Sequence, residues 1–223
     1  MIDFSISQIK KGRGMIFSYV GQFAFVHIHK CAGESIEYSF SKVSRPSDLI
    51  LGGVDWAENL QKRYSKEFGL RKHSTANDIY TNFNLEITNR FKYFCIVRNP
   101  IERALSTFYY LKYWKYPIVN NHVSASSFWE SDDSNGYGPD YFLLAQHRYL
   151  PNDKAPELYR LEEISSLVKD LNEWLRPLGY KEMLLEYRNK TPIKYAEDIS
   201  SDAREYLERR YEKDFILYEN LRV

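Results

Sequence analysis

The 223-residue chain has no apolar run near the roughly 20 residues that crossing a bilayer takes, and its mean hydropathy is −0.54. Its start, Met1 to Gly14, lacks the basic-then-apolar order of a secretory leader, because Lys10, Lys11 and Arg13 follow the apolar residues. A soluble, cytoplasmic protein without a membrane span is therefore expected. Cysteine is scarce. Cys31 and Cys95 sit in separate apolar segments, which argues for two thiols rather than a disulfide framework. Two cysteines are too few for a structural zinc site, and no cluster of ligating residues is evident, so no metal is expected. A charge excess of one sign is also missing. The 31 basic and 30 acidic side chains leave a net +1. That argues against a nucleic-acid partner, yet it leaves room for a local basic pocket and a small anionic ligand. There is no internal repeat and no low-complexity stretch, and the Walker A pattern G-x-x-x-x-G-K-[ST] is absent.

What the chain does contain is 43% hydrophobic and 16% aromatic residues, enough to bury one substantial core, and a single domain over 1–223 is expected. Gln22 to His29 (QFAFVHIH) is a short, nearly continuous apolar run, the pattern of a strand covered on both faces. Gly33 to Ser41 reads as a helix with Ile36 and Phe40 four apart. Tyr93 to Val97 (YFCIV) reads as a second buried strand. It runs through Arg98-Asn99-Pro100 into a helix reaching about Trp114, with proline well placed at a first helical position. Ser74 or Thr75 can cap a short helix carrying Ile79, and helical patterns follow at Asp140 to Leu150, Leu161 to Arg176 and Ser201 to Lys213. Strands alternating with helices favour an α/β domain with a mostly parallel sheet. Pro117 to Pro139, rich in Asn, Ser, Gly and Asp, reads as a long loop.

Two junctions carry candidate chemistry. His29-Lys30-Cys31-Ala32-Gly33-Glu34-Ser35 joins the first strand to its helix. Ligands of open α/β sheets bind outside the carboxyl ends of strands, and a helix N-terminus offers unpaired N–H groups to an anion. Gly33 permits close backbone approach, Lys30 adds a positive charge and Ser35 a hydroxyl. An ordinary strand–turn–helix junction with a solvated lysine reads equally well. The second strand ends at Arg98, which leaves the same edge of the sheet as Lys30 if the strands are parallel. An arginine there suits bidentate phosphate binding, or it pairs with a helix carboxylate. Ser106 lies off the apolar stripe of its helix, free either to meet a ligand or to face water.

On FAFVHIHKCAGESI and FCIVRNPIERALSTFYY the chain resembles the sulfotransferases related to the carbohydrate 2-O-sulfotransferases, including small bacterial and viral members. Their first signature is an apolar strand followed by Pro-Lys-Thr-(Ala/Gly)-Gly-Thr-Ser. The second is an apolar strand followed by Val-Arg-(Asn/Asp)-Pro, a Glu-Arg pair and a serine. Lys72 to Ala76, Tyr159 to Glu162, Asn189 to Pro192, and Tyr211 with Asp214 resemble later family segments, so the resemblance covers most of the chain from Met15 onward. It implies a P-loop-like three-layer domain, a central mostly parallel sheet flanked by helices. It also implies 3′-phosphoadenosine 5′-phosphosulfate (PAPS) as donor and adenosine 3′,5′-bisphosphate (PAP) as product. Lys30, Cys31, Ala32, Gly33, Glu34 and Ser35 would hold the 5′-phosphosulfate, and Arg98 and Ser106 the 3′-phosphate. Lys190 and Thr191 would help close over the nucleotide, and His73 falls where relatives place a catalytic histidine. The chain departs from the pattern at His29, Cys31 and Glu34, which replace a proline and two threonines. A carboxylate at Glu34 would repel a phosphosulfate unless it turns outward as a first-turn helix residue stabilised by the dipole.

By analogy with phosphoryl transfer, the expected mechanism is positioning plus electrostatics. Lys30 would neutralise the leaving charge and His73 would take the acceptor proton, with Glu34 and His29 the next candidates. A carbohydrate is the favoured acceptor, and a lipid, a polyketide or a small alcohol also fits. The aromatics from Tyr109 to Tyr141 are expected to be half packing and half acceptor surface, with Trp114, Tyr116 and Trp129 on the surface. A P-loop-type kinase and a non-catalytic nucleotide-binding module are the alternatives.

Overall fold

The computed structural model describes residues 15–52, 55–83, 88–136, 142–152, 155–188 and 199–221. Lys190 and Thr191, and with them the expected closing loop, lie outside the described residues, as do Tyr137 and Tyr141.

Among the described residues five strands form one sheet: β1 (Met15–Ser18), β2 (Phe23–Val26), β3 (Asp48–Leu51), β4 (Lys92–Val97) and β5 (Glu157–Arg160), in the order β3-β1-β2-β4-β5. β2 pairs parallel with β4, and β4 with β5. β1 pairs antiparallel with both β2 and β3. Four strands therefore point one way and β1 alone opposes them. This is the P-loop-like α/β arrangement, and the carboxyl ends of β2 and β4 lie side by side.

Among the described residues the α-helices are α1 (Gly33–Ser41), α2 (Asp55–Phe68), α3 (Ala76–Asn82), α4 (Pro100–Tyr113), α5 (Ala125–Trp129), α6 (Ile164–Leu175), α7 (Ser201–Arg210) and α8 (Glu212–Asn220). Successive strand residues alternate between faces, which fixes the layering. Phe23 meets Phe40 of α1 edge-on at 5.4 Å. On the opposite face Tyr93, the register partner of Ala24, lies 5.5 Å from Tyr80 of α3. Burial on both faces explains why β2 and β4 are apolar at nearly every position. A fully buried ring such as Phe23 contributes about 1.5–3 kcal/mol, so Phe23→Ala would loosen α1 from the sheet.

Local chemistry sets the helix starts. Thr75 caps α3 with a reciprocal box, its Oγ1 accepting from the Asp78 N–H while Asp78 accepts from Thr75. Asn99 caps α4 by accepting from the N–H groups of Ile101 and Glu102, with Pro100 at the first helical position.

Four expectations from the sequence are corrected. Strand pairing of the first apolar run stops at Val26, and His27 to His29 leave the sheet as a buried loop. The stretch from Pro117 is structured where described. Ser124 caps α5, and Phe128 and Trp129 are buried in a second core with Phe108, Leu207 and Tyr211. In the expected helix Asp140 to Leu150, the described residues 142–150 form no α-helix and hold a 3₁₀ turn at Gln146–Tyr149. Its backbone groups are engaged by side chains instead. Arg103 donates to the carbonyls of Phe142 and Leu144, Tyr211 to that of Leu143, and Asp214 accepts from the N–H groups of Gln146 and His147. The last helical pattern breaks at Tyr211 (φ −111°, ψ 24°) into α7 and α8.

Candidate functional site

The β2–α1 junction is built from residues in unusual backbone states. Lys30 (φ 64°) and Ala32 (φ 57°) both adopt the left-handed conformation, which costs non-glycine residues energy and is held only where packing enforces it. Cys31 N–H donates to the Ile28 carbonyl and Ser35 N–H to that of Ala32. Helix geometry leaves the first-turn N–H groups of Gly33 and Glu34 without an intrahelical partner, so the junction presents the positive end of α1.

Gly33 is required by its neighbour rather than by its own torsion. A Cβ added there would stand 2.3 Å from the His27 ring. Glu34 lies in the first turn of α1 and is half-buried. The Ser35 hydroxyl is buried and accepts from the Arg188 N–H at 3.0 Å. The Cys31 thiol faces inward, donating to Gln146 Oε1 at 3.3 Å, and burial pushes its pKa up to about 11. Cys31, expected among the residues that hold the 5′-phosphosulfate, has its backbone N–H engaged within the turn. The Lys30 ammonium lies 4.2 Å from the centre of the Tyr110 ring.

His73 is 6% exposed and lies against this junction. Its Nδ1 meets the His27 carbonyl at 2.9 Å. A carbonyl only accepts, so Nδ1 carries the hydrogen and Nε2 carries a lone pair. Among the described residues Nε2 is buried with no hydrogen-bond partner. Burial first, then the neighbouring His29 and His27 imidazoles and Lys72, hold the His73 pKa well below its ordinary value. The ring is thus a neutral imidazole. His29 lies 3.3 Å away, centre to centre, and itself contacts Phe142 at 4.1 Å.

At the end of β4, Arg98 is held partly buried, its Nε 3.3 Å from the Glu102 carboxylate one helical turn on. The pairing that the sequence left open is therefore present. Ser106 is buried on α4, near the fully enclosed Arg103, rather than facing water. The Arg103 Nε donates to the His29 carbonyl at 2.9 Å, tying α4 to the first junction.

Sequence reasoning missed two residues here. Gln146 is fully buried and bridges both junctions. Its Oε1 accepts from the Arg98 N–H at 2.9 Å and from Cys31, and its Nε2 donates to the Arg98 carbonyl at 2.9 Å. The buried Asp214 of α8 holds the Gln146 N–H at 2.6 Å. Arg188 runs beside α1, its guanidinium 4.3 Å from the Tyr38 ring centre. The only signal for Arg188 was its place just before the basic segment at Asn189-Lys190, and Gln146 gave none.

The aromatic stretch divides differently from the expectation. Trp129 is 1% exposed and belongs to the second core, whereas Tyr113 and Trp114 are 76% and 41% exposed. Helix α4 ends in a Schellman turn. Lys115 is left-handed, its N–H donates to Lys112 O, and the Tyr116 N–H donates to Leu111 O. That turn brings Tyr116 back within 6.0 Å of Phe142, which also stacks on Tyr110 at 5.2 Å. Lys30, Tyr110, Phe142, His29 and His73 thus form one run of ring contacts.

Among the described residues no group of metal-ligating side chains forms a candidate metal site, and no helix is long and apolar enough to cross a membrane. A model of the sulfotransferase family matches residues 13–140, more than half of the chain, and takes in both junctions and His73. No curated protein and no solved structure matches the chain. The chain belongs to the sulfotransferase family.

Proposed function

With that membership as the premise, we propose that the protein transfers a sulfuryl group from PAPS to an acceptor hydroxyl, with a carbohydrate as the acceptor class. The observation that carries this reading is His73, a neutral buried imidazole whose tautomer leaves Nε2 as a base, attached by its other nitrogen to the start of the β2–α1 junction. A strand–helix junction with an anion-binding end supplies one half of a transfer site, and a desolvated base beside it supplies the other.

The residues present fit the donor. The helix N-terminus at Gly33 and Glu34, with Lys30, suits the phosphosulfate, and Arg98 with Ser106 suits the 3′-phosphate. When bound, PAPS supplies the sulfuryl group and a leaving phosphate. Lys30 offsets the negative charge that grows on the leaving side, and a fixed positive group there acts mainly on the transition state. His73 Nε2 takes the acceptor proton. Gln146 keeps the two junctions at a fixed spacing, so that donor-binding groups on β2 and β4 act on one molecule. The exposed Tyr113–Trp114 pair, with Tyr110 beside it, supports a ring-shaped acceptor with apolar faces and polar rims. The likeness of both signatures to those of carbohydrate 2-O-sulfotransferases supports the same class.

The test is two-stage. Calorimetric titration with PAP and with adenosine 5′-phosphate should give tight binding of PAP alone. Transfer of label from ³⁵S-PAPS to a panel of glycan acceptors should then give product. Equal affinity for the two nucleotides would overturn the donor assignment. PAP binding without transfer to any hydroxyl acceptor would leave a nucleotide-binding module.

A further inference from the structure

We propose that the buried Glu37–His27 pair is a positioning device that sets the donor junction and the base in register. The proposal rests on the sulfotransferase reading above. His27 stands three residues before Lys30 and is 3% exposed, and Glu37 is fully buried. Three contacts of His27 reach three parts of the site. Its ring fills the space beside Gly33, where a Cβ would come within 2.3 Å of Cδ2 and 2.5 Å of Cγ and Nε2. Its Nδ1 meets Glu37 Oε1 at 2.5 Å. Its carbonyl receives the Nδ1–H of His73 at 2.9 Å. Gly33 and Glu37 are four apart on α1 and so share a helix face. The ring is thereby held against the first turn of the helix by a bond to the second.

A carboxylate at position 37 is not what packing a helix on a sheet requires. Ile36 and Phe40 of the same helix are buried apolar residues. Burying a charge is unfavourable unless it is paired, and such a pair is weak evidence for stability. What it does supply is a direction. With its ring bonded to Glu37 and packed on Gly33, His27 is restrained where its carbonyl receives the His73 Nδ1–H, the bond that leaves Nε2 the lone pair. The same ring walls Gly33, so α1 cannot settle toward the sheet and carry its N-terminus off the donor. Glu37, in the second turn of α1, acts on the site through its bond to His27.

The test uses the full chain and two variants, with folding of each checked by circular dichroism. Glu37→Gln keeps an oxygen that accepts from His27, and its kcat should fall no more than about threefold, within what loss of one charge in a maintained geometry allows. Glu37→Met has similar volume and no acceptor, and its kcat should fall about 10²-fold, as for a displaced reacting group. Glu37→Met should also weaken PAP binding, and its effect on kcat should be non-additive with His73→Ala, because both act on the same proton transfer. ¹⁵N chemical shifts of the wild-type His73 ring should report hydrogen on Nδ1 at neutral pH. A wild-type ring protonated on Nε2 instead would overturn the proposal, whether or not either variant folds. So would equal losses in Glu37→Gln and Glu37→Met, or full additivity with His73→Ala. Failure of the wild type to bind PAP would instead defeat the underlying sulfotransferase reading, while binding and transfer unaffected by Glu37→Met would defeat only this proposal.

Discussion

Replacing Gln146 by methionine should uncouple the two junctions at a cost that the hydrogen bonds allow to be worked out. The side chain is fully buried, and methionine matches its length while removing both polar atoms. Two backbone groups of Arg98 then lose their partner, the N–H and the carbonyl, each held at 2.9 Å in the intact protein. An unsatisfied buried group costs about 1–3 kcal/mol. Arg98 is only partly buried, so the pair should sum to about 2–4 kcal/mol in the lower part of that range. The Cys31 thiol loses a weak acceptor as well. The Asp214 bond to the Gln146 backbone N–H survives, so the 3₁₀ turn should stay docked on α8. Urea denaturation should show the loss of stability, and a melting scan a drop of roughly 5–15 °C. PAP affinity should fall about tenfold, because Arg98 is no longer fixed relative to the β2–α1 junction. A variant within about 0.5 kcal/mol of wild type, the usual scatter for surface changes, would refute the bridging role.

Replacing His73 by alanine should cut the rate by about 10²–10⁴-fold if it is the base, with PAP affinity unchanged by calorimetry; an unchanged rate would move the role to His29 or Glu34. Arg98→Ala should erase most of the preference for PAP over adenosine 5′-phosphate, a loss of about 1.5–3 kcal/mol for one charge-assisted contact, read from paired titrations. The pH behaviour follows from His73, whose folded-state pKa is depressed below its ordinary 6.5. Below 6.5 the unfolded chain binds the proton that the folded ring refuses, so stability should fall as pH drops below that value, by at most about 1.4 kcal/mol per pH unit. Wild type and His73→Phe compared by urea denaturation at pH 7 and pH 5 should reveal it, the variant losing the slope. Deleting Asn120 to Asn135 would remove Phe128 and Trp129 from the second core and unfold it, so the acceptor surface is better tested by Trp114→Ala. That change should raise the acceptor KM several-fold with nucleotide affinity intact, since about 0.5–1.5 kcal/mol of ring contact is removed.

Local patterns in the chain were enough to specify several elements and the two junctions. Apolar continuity in FAFV and YFCIV marks strands buried on both faces, because alternation disappears when neither face meets water. Gly33–Ser41 and Pro100–Tyr113 announce themselves through four-residue apolar spacing and a proline at the first turn. The sequence also placed Lys30, His73 and Arg98 as the residues to examine. It did not show β1 or β3, which are four residues each; β3 draws its stability from pairing with β1 well back along the chain, and β1 lies between β3 and the neighbouring β2.

Only the tertiary structure decided what those residues do with their neighbours. His27 looked like a packed strand histidine, and nothing in the order of residues says that Glu37 meets its ring or that Gly33 gives it space. Gln146 sits in a segment patterned like a helix, yet Asp214 and Arg103 claim the backbone groups a helix would need and turn its amide between the two strand ends. Trp129 reads as a loop aromatic and is core, because α7 and Tyr211 close over it. For Gln146 and Trp129 the deciding partner lies far along the chain, and for His27 it lies across a turn on the following helix. Local spacing governs which backbone bonds can form; which of them do form, and which tautomer a buried imidazole keeps, is settled by groups that only folding brings within reach.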